Sequence, residues 1–171
     1  FNNQFGLELY PTIWLEKNSW NFVGEYFVLN FPQETWGLGG DSPDSHETFV
    51  DGKQIRFHQN VLKGILPNLA IGIGYQYDKH FELEIEDDEA RTKHPNLPET
   101  IKSTTVSSGI SLPIVYDTRK NINNPQQGMY AGITYLYNDT ALGSDDKWQS
   151  LFMDFRKYYS IPFARSILGF R

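Results

Sequence analysis

Four histidines are the residues of this chain best suited to acid–base chemistry at neutral pH. A hydrolase would need a serine within hydrogen-bonding distance of a histidine, and a third group to orient the imidazole. His46 and His94 fall in segments whose composition predicts loops, and no serine motif accompanies any histidine. His58 and His80 lie in strand-like segments, which favours a hydrogen-bonding role. We therefore expect no catalytic site and no enzymatic activity.

A run of acidic residues is the other candidate for ligand binding. Glu84, Glu86, Asp87, Asp88 and Glu89 could hold Ca²⁺ or bridge lipopolysaccharide through divalent ions. The run lacks the alternating ligands and the turn glycine of a dedicated Ca²⁺ loop, so the pattern favours a solvated loop. The chain has no cysteine, which excludes disulfides and thiolate metal sites. We expect neither a metal nor a cofactor.

Charged residues in two further segments follow the two-residue period of a β-strand. In the segment 69–85 the odd positions are apolar except Lys79, and the even positions are small or polar. Residues 49–61 alternate in the same way. The polar face is predicted to line the lumen of a barrel, where charges are ordinary. The charged and histidine side chains predicted to face that lumen are Arg56, His58, Asp78, His80 and Glu82.

The alternation recurs along the chain and predicts about eight strands. Their expected ranges are 5–15, 20–31, 49–61, 69–85, 106–114, 129–137, 151–155 and 163–171. Short connections at 16–19 and 62–68 alternate with long ones at 31–47 and 84–103. Outer-membrane barrels alternate short periplasmic turns and long extracellular loops in this manner. The intermediate connection at 117–127 is the exception.

Strand length distinguishes a membrane barrel from a soluble β-sandwich. Sandwich strands average about five or six residues, whereas several runs here match the roughly nine to eleven residues that cross a bilayer at a tilt. The mean hydropathy of −0.49 is compatible with a barrel, because only alternate residues face lipid. The net charge of −6 argues against nucleic-acid binding. The sequence predicts an all-β fold, an antiparallel transmembrane β-barrel, with a soluble β-sandwich binding module as the alternative.

Three stretches carry a resemblance to a known family. Asp117-x-Arg119, followed by Pro125 and Gly128, resembles the Asp-x-Arg and Pro-x-x-Gly signature of the BamA/TamA-like surface-antigen family of bacterial outer-membrane proteins. The segment with Asp154, Arg156 and Tyr158, ahead of a short turn and an apolar strand, is similar to the next hairpin of that family. The segment 36–41 is similar to its Gly-rich loop. The resemblance spans nearly the whole chain.

The first signature also has a direct physical interpretation. Asp117 and Arg119 share one face and could pair at the rim of the lumen. Pro125 suits a turn, because it has no amide hydrogen for a strand ladder. Gly128 can take a positive φ where the next strand begins. These residues either fix the turn alone or take a direct part in handling a substrate.

The resemblance implies that residues 1–171 form a single, partial outer-membrane β-barrel domain, roughly half of a barrel of about sixteen strands. It implies that the flanking parts are missing, including an Arg-Gly-aromatic loop beyond Arg171. The implied function is non-enzymatic assistance to the insertion or translocation of polypeptides at the bacterial outer membrane. The implied partners are outer-membrane lipid and lipopolysaccharide, with unfolded outer-membrane polypeptides and envelope lipoproteins as further candidates. A passive channel, a structural barrel and a membrane anchor for a fused enzyme domain are the alternatives.

Overall fold

The computed structural model describes residues 4–30, 32–36, 41, 43–85, 103–161, 163 and 166–171. These residues form ten β-strands in one sheet. The strands are β1 (Phe5–Leu9), β2 (Thr12–Trp14), β3 (Trp20–Asn30), β4 (Gln33–Thr35), β5 (Thr48–Leu66), β6 (Leu69–Ile85), β7 (Thr104–Asp117), β8 (Gly128–Asn138), β9 (Trp148–Ile161) and β10 (Ser166–Phe170). Helical structure in the described ranges is confined to 3-10 turns at Glu16–Asn18, Asp44–His46 and Thr140–Leu142. The predicted all-β fold is confirmed.

The strands follow one another across the sheet in the order β1-β3-β5-β6-β7-β8-β9-β10, and the pairings are antiparallel. The short strand β2 also pairs with β3, and β4 pairs with β5. β1 and β2 are two parts of the predicted strand 5–15, which breaks at Tyr10 and Pro11 because proline cannot donate to the ladder. The Pro11 carbonyl still accepts from the Gly24 amide at 2.9 Å. The main path of the sheet therefore agrees with the prediction of about eight strands.

The hairpin between β5 and β6 is tighter than the sequence predicts. The alternation of apolar residues stops at Val61, which predicts a connection at 62–68, yet β5 continues to Leu66 and only residues 67–68 link it to β6. Asn68 has a φ of 66° and follows Pro67. A proline ahead of a residue with positive φ is the chemistry of a tight turn. The backbone pairing of β5 and β6 thus continues beyond the residue at which the apolar alternation ends.

The two faces of the sheet differ in polarity. Large apolar side chains line one face and are exposed, among them Ile73 at 58% and Met153 at 68%. Leaving out glycine and proline, the buried apolar side chains of the described residues are Phe27 and Leu62, and both share the opposite, polar face with Arg56. A β-sandwich would cover its apolar face with a second sheet. This sheet leaves that face uncovered, as a sheet in contact with lipid does.

Gly74 allows side chains of two non-adjacent strands to meet on the polar face. Asn60 of β5, Gly74 of β6 and Ser111 of β7 lie side by side in the register. The Ser111 hydroxyl donates to Asn60 Oδ1 at 2.7 Å, across the intervening strand. A Cβ at Gly74 would clash with both side chains and would lie 2.6 Å from the Gln59 carbonyl oxygen. The missing side chain is therefore what permits this contact.

A β-bulge interrupts β6 near its end. Glu82 and Leu83 together lie opposite the single residue Gly52 of β5, and Glu82 has a φ of 53°. The Glu82 carboxylate pairs with Lys53, which takes an apolar-face position in the alternation of β5. Because an extra residue reverses the alternation, the pattern expected through Ile85 does not continue past the bulge. Glu82 leaves the row formed by the other residues predicted to face the lumen.

The segment 139–147 folds back along the edge of β7 where β8 ends. The Asp145 amide donates to the Val106 carbonyl at 2.9 Å, and the Val106 amide donates to Asp145 Oδ2 at 2.9 Å. The fully buried Ser108 hydroxyl donates to the Leu142 carbonyl at 2.6 Å. The Asp139 carboxylate accepts from the Ala141 amide and from the Tyr137 hydroxyl, each at 2.8 Å, which caps the 3-10 turn. These bonds satisfy β7 backbone groups that β8 does not reach.

This cap gives a prediction about pH. The Ala141 amide, the Tyr137 hydroxyl and the Lys147 ammonium lower the pKa of Asp139 to about 2. Because the pKa in the folded state lies below the ordinary value of about 3.9, the cap contributes its stability above about pH 4 and loses it as the pH falls toward 2. A carbon-13 NMR titration of the Asp139 carboxyl group should give a midpoint near 2. Tyr137→Phe should raise that midpoint, and Tyr135→Phe should not. A wild-type midpoint at the ordinary value would contradict the capped geometry.

Candidate functional site

The first signature forms a closed turn after β7. Asp117 accepts from the Arg119 amide at 2.9 Å, from its Nε at 2.9 Å and from its Nη2 at 2.7 Å. The Arg119 side chain is only 6% exposed. The hydrogen bonds to Asp117 raise the pKa of the Arg119 guanidinium above its ordinary value. The pairing expected of these two residues is present, and it holds a buried cation in one orientation.

Gly128 completes this turn from the side of β8. It has a φ of 107°, and a Cβ there would lie 2.8 Å from the Thr118 carbonyl oxygen. Thr118 is paired with the neighbouring Met129, because its amide donates to the Met129 carbonyl and its hydroxyl accepts from the Met129 amide, each at 2.9 Å. The expected positive φ at Gly128 is present. Pro125, the remaining member of the signature, is half-buried in the connection between β7 and β8.

Gly128→Ala should therefore destabilise the fold by about 2 to 4 kcal/mol, from backbone strain together with the contact to Thr118. Gly143→Ala is the matched control, because Gly143 has a φ of 91° but nothing lies within 4 Å of its added Cβ. The control should cost about 1 to 2 kcal/mol from strain alone. Urea unfolding of the full-length protein measures both. Equal losses of stability would mean that the Thr118 backbone moves away from the added Cβ without cost.

The second signature, on β9, contains the same kind of pair, an aspartate and the arginine two residues after it. Arg156 Nε donates to the two Asp154 oxygens at 3.1 and 3.0 Å, and Arg156 Nη2 also contacts this carboxylate. Asp154 is 9% exposed. Arg171, beyond β10, lies 3.5 Å from Asp154 Oδ1. Tyr158 is the next residue on this face and lies opposite Gly128, the last residue of the first signature.

Tyr130 brings the two signatures into one cluster. In the register of β7, β8 and β9, Tyr130 lies between Asp117 and Arg156. The Arg119 guanidinium lies 4.7 Å from the centre of its ring, and the Arg156 guanidinium lies 5.5 Å from it. Two cations therefore contact one aromatic ring, and each is also paired with a carboxylate. We call these residues the signature cluster: Asp117, Arg119, Tyr130, Asp154, Arg156 and Tyr158.

The sequence alone does not identify Tyr130. Its position in the alternation of β8 places it on the polar face. Gly132 and Thr134 lie on the same face of this strand but form no comparable contact with the two arginines. Only the register of β8 against both neighbours shows that Tyr130 is opposite Asp117 and Arg156. A tyrosine shortly after Gly128 is a visible signal, yet its pattern alone also fits a girdle residue at a strand end.

A second charged network lies on the polar face of β3, β5 and β6. Arg56 donates to Glu25 Oε1 at 2.8 Å and to Asp78 Oδ1 at 2.5 Å. His58 Nε2 lies 2.7 Å from Asp78 Oδ2. The Arg56 guanidinium also lies 4.8 Å from the centre of the Phe27 ring. The structure thus joins three residues predicted to face the lumen, Arg56, His58 and Asp78, into one half-buried network.

The other predicted residues are less closely grouped. His80 lies on the same face of β6 as Asp78, opposite Gln54 and Thr105. Glu82 lies in the bulge beside Lys53. The backbone of Glu84 pairs with Asp51 at the end of β6, whereas the rest of the acidic run and His94 lie outside the described residues.

The polar face offers little to a metal ion. In the described ranges no three side chains of His, Cys, Asp or Glu are grouped so that they could hold one. The networks on this face instead pair carboxylates with arginine, lysine or histidine. Their chemistry is charge pairing and hydrogen bonding.

The helices in the same part of the chain are short turns. None of them has the length and apolar character needed to cross a membrane.

Long antiparallel strands, an uncovered apolar face and an ion-paired polar face define the class of transmembrane β-barrel proteins. The Omp85 superfamily domain matches residues 1–169. The chain therefore belongs to the Omp85 superfamily, a family of outer-membrane proteins of polypeptide insertion and translocation. The family prediction made from the two signatures is confirmed. No curated protein and no solved structure matches the chain significantly.

Proposed function

We propose that this chain is part of a bacterial outer-membrane β-barrel that assists the insertion or translocation of polypeptides. The observation that carries the proposal is the match to the Omp85 superfamily over residues 1–169. Members of that family act in insertion and translocation without enzymatic chemistry, and we extend this role to the present chain. Residues 1–171 would be a single partial domain, with the strands here forming roughly half of a barrel of about sixteen.

The two faces of the sheet support this role in different ways. The apolar face suits contact with outer-membrane lipid, because an exposed apolar surface of this extent is unfavourable in water. The polar face would line the lumen and meet the polypeptide or water. Its charges at Arg56, Asp78 and Asp154 are paired, so a passing chain would meet hydrogen-bonding groups rather than unpaired ions. In this role unfolded outer-membrane polypeptides would be the substrates, and envelope lipoproteins are further candidate partners.

A passive channel is the second candidate. The network of Glu25, Arg56 and Asp78 favours it equally, because ion pairs of mixed sign are also what line a water-filled pore. The two functions differ in what they do to an unfolded polypeptide. A channel conducts ions without changing the rate at which another barrel inserts.

The test uses the full-length protein reconstituted in phospholipid vesicles. A urea-unfolded outer-membrane barrel is added, and its insertion is followed by protease protection and by the mobility of unheated samples on gels. We expect insertion to be faster than in empty vesicles and faster than in vesicles that contain an unrelated barrel of similar size. Insertion at the rate of the unrelated barrel, together with ion conductance, would favour the passive channel and overturn the proposed role.

A further inference from the structure

Lysines on the apolar face lie at the two ends of the membrane-spanning strands and contact aromatic rings. Lys63 and Trp20 are at the end of the short turns, with Nζ 5.4 Å from the ring centre. Lys157 and Tyr159 are at the same end, at 5.3 Å. At the opposite end, Lys79 lies 5.4 Å from the ring of Phe81. Aromatic and cationic side chains of this kind mark the boundary between hydrocarbon and lipid head groups.

One of these lysines belongs to a groove. The groove has a volume of about 390 Å³. Its lining contains two cations and several hydroxyl groups but no carboxylate, and consists of Thr118, Lys120, Gln127, Gly128, Lys157, Tyr158, Tyr159 and Ser160. In the described part of the chain neither Lys120 nor Lys157 forms an ion pair. The described lining of the groove therefore carries a net positive charge.

The register of the strands explains why the groove is present. β8 begins at Gly128, which lies opposite Tyr158, whereas β9 continues to Ile161. The last residues of β9 thus extend past the end of β8, and the turn with Lys120 borders the space that β8 does not fill. Tyr159 and Ser160 of β9 line this space. The groove is built from three segments held in place by the sheet and by the Thr118–Met129 pair.

The position of the groove indicates what kind of anion would bind. Lys157 and Tyr159 alternate with the polar-face residues of β9 and share the apolar face with Phe155 and Met153, which are 54% and 68% exposed. A ligand held at Lys157 can therefore keep its anionic group in the groove and extend an apolar part along this face. A phosphate that carries acyl chains could contact both the groove and the apolar face. A free phosphate would contact only the groove.

We propose that this groove binds the phosphate head group of a glycerophospholipid at the turn end of the barrel. Lys120 and Lys157 would neutralise the phosphate, the Ser160 hydroxyl would donate a hydrogen bond to it, and the acyl chains would run past Phe155. In an outer-membrane barrel the turn end faces the periplasm, so the lipid would come from the periplasmic leaflet. The inference requires only that the sheet lies in a bilayer, and it is independent of any role in polypeptide assembly.

Native mass spectrometry of the full-length protein in detergent tests this site, with dioleoylphosphatidylglycerol as the probe. We expect the wild-type protein to retain this lipid in preference to dioleoylglycerol, which lacks the phosphate. The Lys120→Gln/Lys157→Gln variant should bind it at least about tenfold more weakly, because it loses two lysines that each attract an anionic head group. Lys63→Gln is the matched control, because Lys63 is at the same end of the apolar face but outside the groove, and it should bind as the wild type does.

Three results would overturn the proposal. Equal retention of phosphatidylglycerol by the wild type and the double variant would exclude the groove as the site. Equal retention of dioleoylglycerol would show apolar association alone. Displacement of the lipid by inorganic phosphate at the same concentration would show a site for a free anion. If the double variant does not fold, Lys120→Gln alone suffices, because Lys120 is exposed in a turn outside the strands and its loss should weaken retention in the same direction.

Discussion

Replacing Ile73 by arginine is expected to prevent stable insertion of the barrel or to cost about 2 to 4 kcal/mol of stability in the membrane. Ile73 is on the apolar face, 58% exposed, opposite Val61 of β5 and well inside β6. A guanidinium there would have to leave water or draw water into the bilayer. The measurement is the urea dependence of unfolding for the full-length protein folded into lipid vesicles.

Gln76→Arg on the same strand is the control. Gln76 lies opposite His58 and Gly109 on the polar face, so the same charge would face the predicted lumen and should cost less than about 1 kcal/mol. Gly72→Ser is unsuitable for this purpose although serine is small and polar. A Cβ at Gly72 would lie 2.5 Å from the Val61 carbonyl oxygen and 2.8 Å from Leu62 Cγ. If arginine were tolerated equally at 73 and 76, the assignment of the apolar face to lipid would be wrong.

Alternation of side chains makes this assignment predictable from the sequence. Successive residues of a strand point to opposite faces, so the residue types determine which side chains share a face wherever the strand is regular. They do not reveal the bulge at Glu82 and Leu83, because one inserted residue has no signature of its own in a segment of mixed polarity. The end predicted for β5 is wrong for a related reason, since Lys63 and Gly64 break the apolar pattern while the backbone pairing continues to Leu66.

In the site, too, contacts between residues close in sequence can be predicted, whereas contacts that depend on the register of neighbouring strands cannot. The pairs Asp117–Arg119 and Asp154–Arg156 are two residues apart on one strand or turn, so their proximity follows from the sequence. The contact of both arginines with Tyr130 depends on how β7 and β9 are aligned with β8, which no local pattern specifies. The link between Asn60 and Ser111 is of the same kind, because it requires Gly74 to be in register between them.

Loss of the Arg156 cation is expected to be the most damaging change within the signature cluster. Asp154 is almost buried and, among the described residues, would retain Arg171, at 3.5 Å, as its cationic partner. Removing one member of a fully buried pair costs about 3 to 5 kcal/mol, and Arg156→Gln should cost somewhat less, about 2 to 3 kcal/mol, because a third of the arginine side chain is exposed. Unfolding of the full-length protein in vesicles measures this loss.

The double variant Asp154→Asn/Arg156→Gln identifies the cause. If the damage comes from the unpaired carboxylate, the double variant should be more stable than Arg156→Gln, with a coupling of at least about 1 kcal/mol. Strictly additive losses would mean that the two groups do not stabilise one another. The same variants also show whether the signature cluster only holds the strands together or contacts the polypeptide. If the cluster only holds β7, β8 and β9 together, the double variant should insert polypeptides at the wild-type rate per folded molecule; if the arginine contacts the polypeptide, restoring stability will leave the rate low.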